Sequence, residues 1–285
     1  MLQDSRLDPP QGADGAAGTD AIPDVRASRL ELGRTGVDVS RLCLGLGSSG
    51  NGSTSMQGRL PHAEVAAFLL AAYAEGVTWW DTSDDYGSHP HIREALRHVG
   101  RDRIQITTKS HAADGVTLRH SLASSLRELG TPYVDVFLLH EIDSPEDLER
   151  RACAIEELRV LKHEGLVRAV GLSTHNIDAL EVAAEDPRFD VLMTNYNVAT
   201  VHMDADPVDY ARALRRAVRC GQGVALMKTL GEGVLADRYD EAVLHNLSLP
   251  FAHGVLLGIR SLEETVRACG VWRRFRGDGA GHSPC

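Results

Sequence analysis

Three ionisable residues, Asp81, Lys109 and His140, each follow directly after a short apolar run, and Tyr86 lies five residues beyond the first of them. A phenol has a pKa of about 10, and a nearby ammonium lowers that pKa. We therefore expect Lys109 to acidify Tyr86, with Asp81 holding the amine protonated, while a neutral His140 donates a hydrogen bond to a carbonyl oxygen. This set predicts proton donation to a carbonyl, not covalent hydrolysis, and a cofactor must supply any hydride.

These residues can meet only if the apolar runs are parallel strands whose carboxyl ends converge. From residue 41 onward, short apolar runs alternate with stretches in which apolar residues recur every three or four positions. Eight such units over about 230 residues predict an α/β fold, a closed (β/α)8 TIM barrel with one mouth. The predicted strands are 42–46, 77–80, 104–108, 134–139, 167–172, 191–193, 224–227 and 255–257, and the clearest predicted helices are 62–75, 116–129, 147–163 and 207–220.

The ends of the chain differ from this pattern. Two short alternating segments around Gly33 and Gly36 predict an N-terminal β-hairpin. Residues 1–27 are rich in Gly, Ala, Asp and Pro without hydrophobic periodicity, which is typical of a flexible leader. We therefore predict one barrel domain over residues 28–270, preceded by that leader and followed by a short tail over 271–285.

An open, doubly wound sheet is the competing architecture. Gly45, Gly47 and Gly50 match the bare GxGxxG spacing of a dinucleotide-binding turn. That motif needs a helix to open at its end, whereas the residues after Gly50 are Asn, Gly, Ser and Thr, which form loops. The context therefore favours the closed barrel.

Composition restricts the partners of the chain. Its formal net charge of -10 at pH 7 repels phosphate backbones and anionic membranes. No run approaches the roughly 18 apolar residues of a membrane span, and the first residues do not resemble a secretory signal. The five cysteines include no CxxC pair. We expect a cytoplasmic protein with reduced thiols, no metal site, and no nucleic-acid or membrane partner.

At these residues the sequence resembles the aldo-keto reductase superfamily, over about residues 30–268. The Asp-Thr-x-x-x-Tyr-Gly signature of that family resembles residues 81–87, and its strand-end Lys and Leu-Leu-His resemble Lys109 and residues 138–140. Its entry hairpin is similar to residues 32–40. The resemblance implies an oxidoreductase that interconverts a small carbonyl and an alcohol with a nicotinamide cofactor, and it makes the four residues above the catalytic tetrad.

The resemblance also implies a cofactor site on the later strands. A family Ser that contacts the nicotinamide carboxamide corresponds to Ser173. A Gln and an aromatic residue that commonly contact the nicotinamide align with Met193 and Met227, and a thioether cannot replace the Gln hydrogen bond. The contacts to the pyrophosphate and adenosine correspond to Lys228, Leu230, Gly258, Arg260, Ser261 and Glu264.

The choice of cofactor depends on two of these residues. Arg260 could pair with a 2′-phosphate through its fork of donors, which favours NADP(H) over NAD(H). Glu264 would repel that phosphate if it came close. On balance the resemblance favours NADP(H).

Two interpretations besides a reductase stay open. A nicotinamide-binding sensor or subunit with little turnover could keep this fold, and Met193 and Met227 permit it. A Schiff-base enzyme would attack a carbonyl with Lys109, which needs a neutral amine that Asp81 opposes. The sequence names neither the substrate nor the oligomeric state; sugars, aldehydes, ketones and secondary metabolites all fit. Candidates for the pocket wall are Trp79, Trp80, His111, Tyr196 and the loop 48–60.

Overall fold

A two-stranded antiparallel hairpin precedes the barrel, as the sequence predicts. The computed structural model describes residues 28–49 and 53–277, so the predicted leader lies outside the described residues. Strand β1 (Arg29–Glu31) pairs with β2 (Asp38–Ser40). A Cβ at Gly33, whose φ is +62°, would lie 2.4 Å from the backbone nitrogen of Gly223, so the hairpin packs tightly on the base of the barrel. Its apolar residues belong to the cluster inside the barrel: Leu32, Val37 and Val39.

Eight parallel strands close into a barrel. Each strand pairs with the next along the chain, and the last pairs with the first. The predicted (β/α)8 TIM barrel is therefore confirmed, and the open sheet is excluded. The strands are β3 (Leu42–Gly45), β4 (Trp79–Asp81), β5 (Gln105–Ser110), β6 (Val134–Ile142), β7 (Val167–Thr174), β8 (Val191–Asn195), β9 (Gly223–Met227) and β10 (Gly254–Gly258).

Helices cover the outside of the barrel, where their apolar faces pack against the strands. The described helices are α1 (His62–Ala74), α2 (His89–Ala95), α3 (Gly115–Leu129), α4 (Pro145–Arg150), α5 (Ala152–His163), α6 (Ile177–Ala183), α7 (Pro207–Arg219), α8 (Tyr239–Leu247) and α9 (Leu262–Arg276). The single helix predicted over 147–163 is wrong, because the backbone leaves helical geometry at Arg151. The guanidinium of Arg151 instead bonds to Asp147 and to the carbonyl oxygen of His140.

Side chains fill the barrel interior below the strand ends. Trp79 is fully buried there, and its indole Nε1 donates a 2.7 Å hydrogen bond to Oγ1 of Thr107. A Cβ at Gly254 would lie 2.2 Å from the Trp79 ring, so this glycine makes room for the indole. Trp80 is also fully buried, in the outer core. The prediction that these two tryptophans line a substrate pocket is therefore wrong.

The last helix continues beyond the predicted end of the barrel domain. Helix α9 runs to Arg276, and Val271 and Trp272 within it are fully buried. The residues just after 270 therefore belong to the folded part, while 278–285 lie outside the described residues. Across the described ranges, no helix has both the length and the apolar character that a membrane span requires.

Candidate active site

Three neighbouring strands bring Asp81, Lys109 and His140 together. Strand β4 pairs with β5, and β5 pairs with β6. The three residues lie at or near the carboxyl ends of these strands, and all three are buried. The convergence expected from the strand ends is therefore present.

The amine of Lys109 is held in a buried ion pair. Its Nζ lies 2.8 Å from Oδ2 of Asp81 and donates a 2.7 Å hydrogen bond to the carbonyl oxygen of Thr82. Only 2% of the Lys109 side chain and 4% of the Asp81 side chain are exposed. Burial raises the pKa of Asp81, and the charge of Lys109 opposes that rise. Attack on a carbonyl needs a neutral, accessible amine, so this pairing argues against a Schiff-base enzyme.

The phenol of Tyr86 reaches the same place from the loop after β4. Gly87 turns the chain just beyond it with a φ of +68°, a conformation that glycine adopts without strain. The Tyr86 hydroxyl lies 3.2 Å from Nε2 of His140. The Nζ of Lys109 lies 5.2 Å from the centroid of the phenol ring. The structure thus gathers all four predicted residues, with the amine over the ring of Tyr86.

The imidazole of His140 is neutral. Burial lowers its pKa far below the usual value for histidine, and the charge of Lys109 adds to this effect. Its Nδ1 lies 3.0 Å from the hydroxyl oxygen of Ser83. When Ser83 donates to Nδ1, the ring carries its one hydrogen on Nε2 and donates toward the barrel mouth.

The pKa of Tyr86 differs from the expectation. Burial raises this pKa well above its usual value, and the negative charges of Asp81, Asp85 and Glu141 add to the rise. The predicted lowering of this pKa is therefore wrong, because burial and the nearby carboxylates outweigh the effect of the Lys109 ammonium over the ring. The phenol therefore keeps its proton at neutral pH.

Gly47 leaves the space that the Tyr86 ring occupies. A Cβ at this position would lie 2.2 Å from Cε2 and 2.6 Å from Cζ of Tyr86. We expect Gly47→Ala to displace the phenol and to lower kcat by about 10- to 100-fold in steady-state kinetics, because active-site groups tolerate little misplacement. Gly270→Ala is the control, since a Cβ there approaches nothing closer than 3.9 Å. A wild-type kcat for Gly47→Ala would refute this role.

The residues predicted to contact the nicotinamide lie on β7, β8 and β9. Ser173 is fully buried, and its Oγ accepts a 3.0 Å hydrogen bond from the backbone N–H of Glu141. The hydroxyl hydrogen of Ser173 is thus left for an acceptor such as a carboxamide oxygen. Met227 is half-buried at the end of its strand. Met193 packs into the apolar cluster inside the barrel, so the structure places it with the core.

The next two predicted cofactor residues follow β9. Lys228 has a φ of +53°, and its Nζ forms a 2.6 Å ion pair with Glu232. Leu230 is half-buried against the outer core. Gly258 ends β10, where a Cβ would lie 2.7 Å from Oγ of Ser48. A larger residue at this strand end would therefore clash with the Ser48 side chain.

The remaining predicted cofactor residues surround the start of α9. Ser261 caps this helix by accepting a 3.1 Å hydrogen bond from the N–H of Glu264. The guanidinium of Arg260 pairs with Glu264 at 2.6 Å, and 56% of the Arg260 side chain is exposed. A helix start presents backbone N–H groups and the positive end of the dipole, which suit phosphate. These donors, together with the Ser173 hydroxyl, fit a nicotinamide dinucleotide.

Several polar residues beside the tetrad have no chemical role predicted from the sequence, although His111 is a predicted wall residue. Asp85 and His111 lie 3.5 Å apart, and the His111 and His140 rings are 4.2 Å apart between centroids. Glu141 and His175 lie 3.9 Å apart. His111 and His175 come directly after the observed strands but three residues beyond the predicted strand ends, so the rule that found Lys109 did not reach them.

Comparisons with known proteins agree with this architecture. The family model described as "Aldo/keto reductase family" matches residues 41–248. A probable aldo-keto reductase 1 of Glycine max is 26% identical over 226 residues, which are 73% of this chain, and the match spans 61% of the length of that relative.

Two solved structures share the fold. One, described as a proposed aldo-keto reductase from Pseudomonas aeruginosa, has a TM-score of 0.73 at 21% identity and covers 89% of this chain and 98% of its own. The other, the holo form of an aldo-keto reductase from Bacillus halodurans, has a TM-score of 0.68 at 17% identity and covers 90% and 98%. Since the family model matches most of the barrel, the chain belongs to the aldo/keto reductase family.

Proposed function

We propose that this protein is an NAD(P)H-dependent oxidoreductase that interconverts a small carbonyl compound and its alcohol, with Tyr86 as the general acid and base. One observation carries the proposal: the Tyr86 hydroxyl lies 3.2 Å from a neutral His140, beside the buried pair of Lys109 and Asp81. A bound nicotinamide would supply or accept the hydride. Ser173, Met227 and the start of α9 are the groups of this chain suited to hold it.

Tyr86 and His140 have different roles toward the carbonyl oxygen of the substrate. The Tyr86 hydroxyl and Nε2 of His140 are adjacent, so one oxygen can receive hydrogen bonds from both. As the carbonyl oxygen gains negative charge, Tyr86 donates its proton to that oxygen. The hydrogen bond from His140 holds the same oxygen in position. The charge of Lys109 beside the ring stabilises the phenolate that remains, and Asp81 keeps Lys109 charged.

The raised pKa of Tyr86 predicts different pH profiles for the two directions. Reduction uses the protonated phenol, which predominates at neutral pH, whereas oxidation uses the phenolate, which becomes common only as pH approaches the raised pKa. Between roughly pH 6 and pH 9, we expect kcat for reduction to stay level and kcat for oxidation to rise about tenfold per pH unit. Initial rates with one carbonyl and its alcohol measure both. A reductive kcat that falls within this window would contradict the assignment.

We further propose that NADP(H) is preferred over NAD(H). This preference is supported by the exposed guanidinium of Arg260 beside the start of α9. Glu264 pairs with the same guanidinium and would compete with a 2′-phosphate for its N–H donors. We therefore expect Glu264→Gln to tighten NADPH binding about tenfold and to change NADH binding less than about twofold, as measured by fluorescence titration. Glu241→Gln breaks the exposed pair with Arg238 and serves as the control. An equal gain for both cofactors would exclude 2′-phosphate recognition by Arg260.

A cytoplasmic location is part of the proposal. The cysteines within the described residues are all free: Cys43, Cys153, Cys220 and Cys269. Free thiols persist in the reducing cytosol, whereas small secreted proteins commonly pair theirs. The partners that the proposed reaction requires are small carbonyl and alcohol molecules.

The proposed activity is tested by titrating the protein with NADPH and NADH and then supplying a panel of aldehydes, ketones and sugars. We expect saturable binding of at least one cofactor and turnover of at least one carbonyl. Binding without any turnover would support the sensor alternative instead. Binding of neither cofactor would overturn the proposal.

A further inference from the structure

A cluster of metal-ligating side chains adjoins the tetrad at the barrel mouth. Asp85, His111 and His140 each offer one ligand atom, and these atoms all lie within 4.8 Å of one another. The Nε2 of His111 is 3.5 Å from Oδ2 of Asp85, and Nδ1 of His140 is 4.0 Å from Oδ1 of Asp85. Over residues 28–49 and 53–277, no other group of three meets the same distance limit.

Within the described residues, the carboxylate of Asp85 and Nε2 of His111 form only loose ion pairs, at 3.5 Å with each other and at 4.0 Å between Asp85 and His140. Both carboxylate oxygens of Asp85 and Nε2 of His111 are buried, and no described residue forms a hydrogen bond with them. The 3.5 Å between Asp85 and His111 is longer than a good hydrogen bond. Buried polar atoms nearly always have good hydrogen bonds, so the loosely paired Asp85 and His111 beside the His140 ring indicate a ligand.

We propose that Asp85, His111 and His140 bind one divalent transition metal ion of the Zn²⁺ type. Nitrogen and oxygen ligands lie about 2.0–2.2 Å from tetrahedral zinc and therefore roughly 3.3–3.6 Å from one another. Side-chain shifts of about 1 Å bring the three ligand atoms into that range. Two imidazoles and one carboxylate suit zinc and leave a fourth position for water.

The ion would replace one existing contact of His140. Its Nδ1 lies 3.0 Å from the Ser83 hydroxyl, which has an alternative acceptor in the Lys109 carbonyl oxygen at 3.3 Å. Coordination through Nδ1 leaves the ring hydrogen on Nε2, which faces the Tyr86 hydroxyl. The metal thus fixes the tautomer in which His140 donates toward the mouth. No metal site is expected from the sequence because the cysteines include no CxxC pair, and these three residues lie far apart in the chain.

Equilibrium dialysis of the full chain against Zn²⁺ tests the proposal without cofactor or substrate, so its outcome is separate from that of the proposed activity. We expect one bound ion per chain, a higher Tm with Zn²⁺, and at least about 100-fold weaker binding in His111→Ala and in Asp85→Asn. Thermal unfolding without metal checks that both variants are folded.

The matched control is His175→Ala. It removes a histidine from a similar pair with Glu141, separated by 3.9 Å, which lies at the same mouth outside the proposed ligand set. We expect this variant to bind Zn²⁺ within about twofold of the wild-type affinity. Absence of stoichiometric binding to the wild type, or equal binding by His111→Ala and the wild type, would overturn the proposal.

Discussion

Replacing Tyr86 with phenylalanine is expected to lower kcat about 1000-fold while leaving cofactor affinity within about twofold, because it removes the proton donor and keeps the ring. The ring still fills the space beside Gly47 and still lies over Lys109, so the surrounding packing is preserved. Single-turnover reduction at saturating cofactor measures the chemical step, and fluorescence titration measures the affinity. Both measurements use the same protein sample.

Tyr133→Phe is the control for this substitution. Tyr133 immediately precedes β6, at the opposite end of that strand from His140, and its ring stacks on Arg101. We expect the control to keep the wild-type kcat. If Tyr86→Phe retained a kcat within about tenfold of the wild type, the phenol would not be the proton donor.

The largest effect on stability is expected at the ion pair of Lys109 and Asp81. Both side chains are almost fully buried, so removing either one leaves an unpaired charge in the barrel. We expect Lys109→Met and Asp81→Asn each to lower the free energy of unfolding by about 3–5 kcal/mol, as measured by urea denaturation. The double variant should lose clearly less free energy of unfolding than the sum of the two single losses, because neither charge is then left without its partner.

An exposed ion pair provides the comparison. The side chains of Arg238 and Glu241 are 49% and 53% exposed, so Arg238→Met should cost less than about 1 kcal/mol. The buried pair would not hold the site together if Lys109→Met and Asp81→Asn each lowered the free energy of unfolding by less than about 1 kcal/mol. The same conclusion would follow if the losses in the double variant were strictly additive.

The barrel and the tetrad could be predicted because both depend on local patterns. Each strand is a short apolar run, and parallel pairing fixes that the residues after such runs meet at one end. Asp81, Lys109 and His140 follow from that rule alone. Tyr86 required a further inference, since a loop residue can point anywhere, and Gly87 supplied the clue.

The properties that the sequence could not predict depend on contacts between distant segments. The raised pKa of Tyr86 comes from burial, to which Gly47 contributes from a different strand end. Trp79 is in the barrel core because Gly254, which lies two strands away, makes room for its ring, and Trp80 packs into the outer core. At the helix break, Arg151 bonds to the carbonyl oxygen of His140, a contact between separate segments that no helical periodicity shows.

The central claim is that one carbonyl oxygen contacts Tyr86 and His140 together. A crystal structure with a bound nicotinamide cofactor and an unreactive carbonyl analogue tests it most directly. We predict that the analogue oxygen lies within about 2.6–3.2 Å of both the Tyr86 hydroxyl and Nε2 of His140. An analogue whose oxygen contacts neither residue, while the cofactor occupies the barrel mouth, would contradict the account.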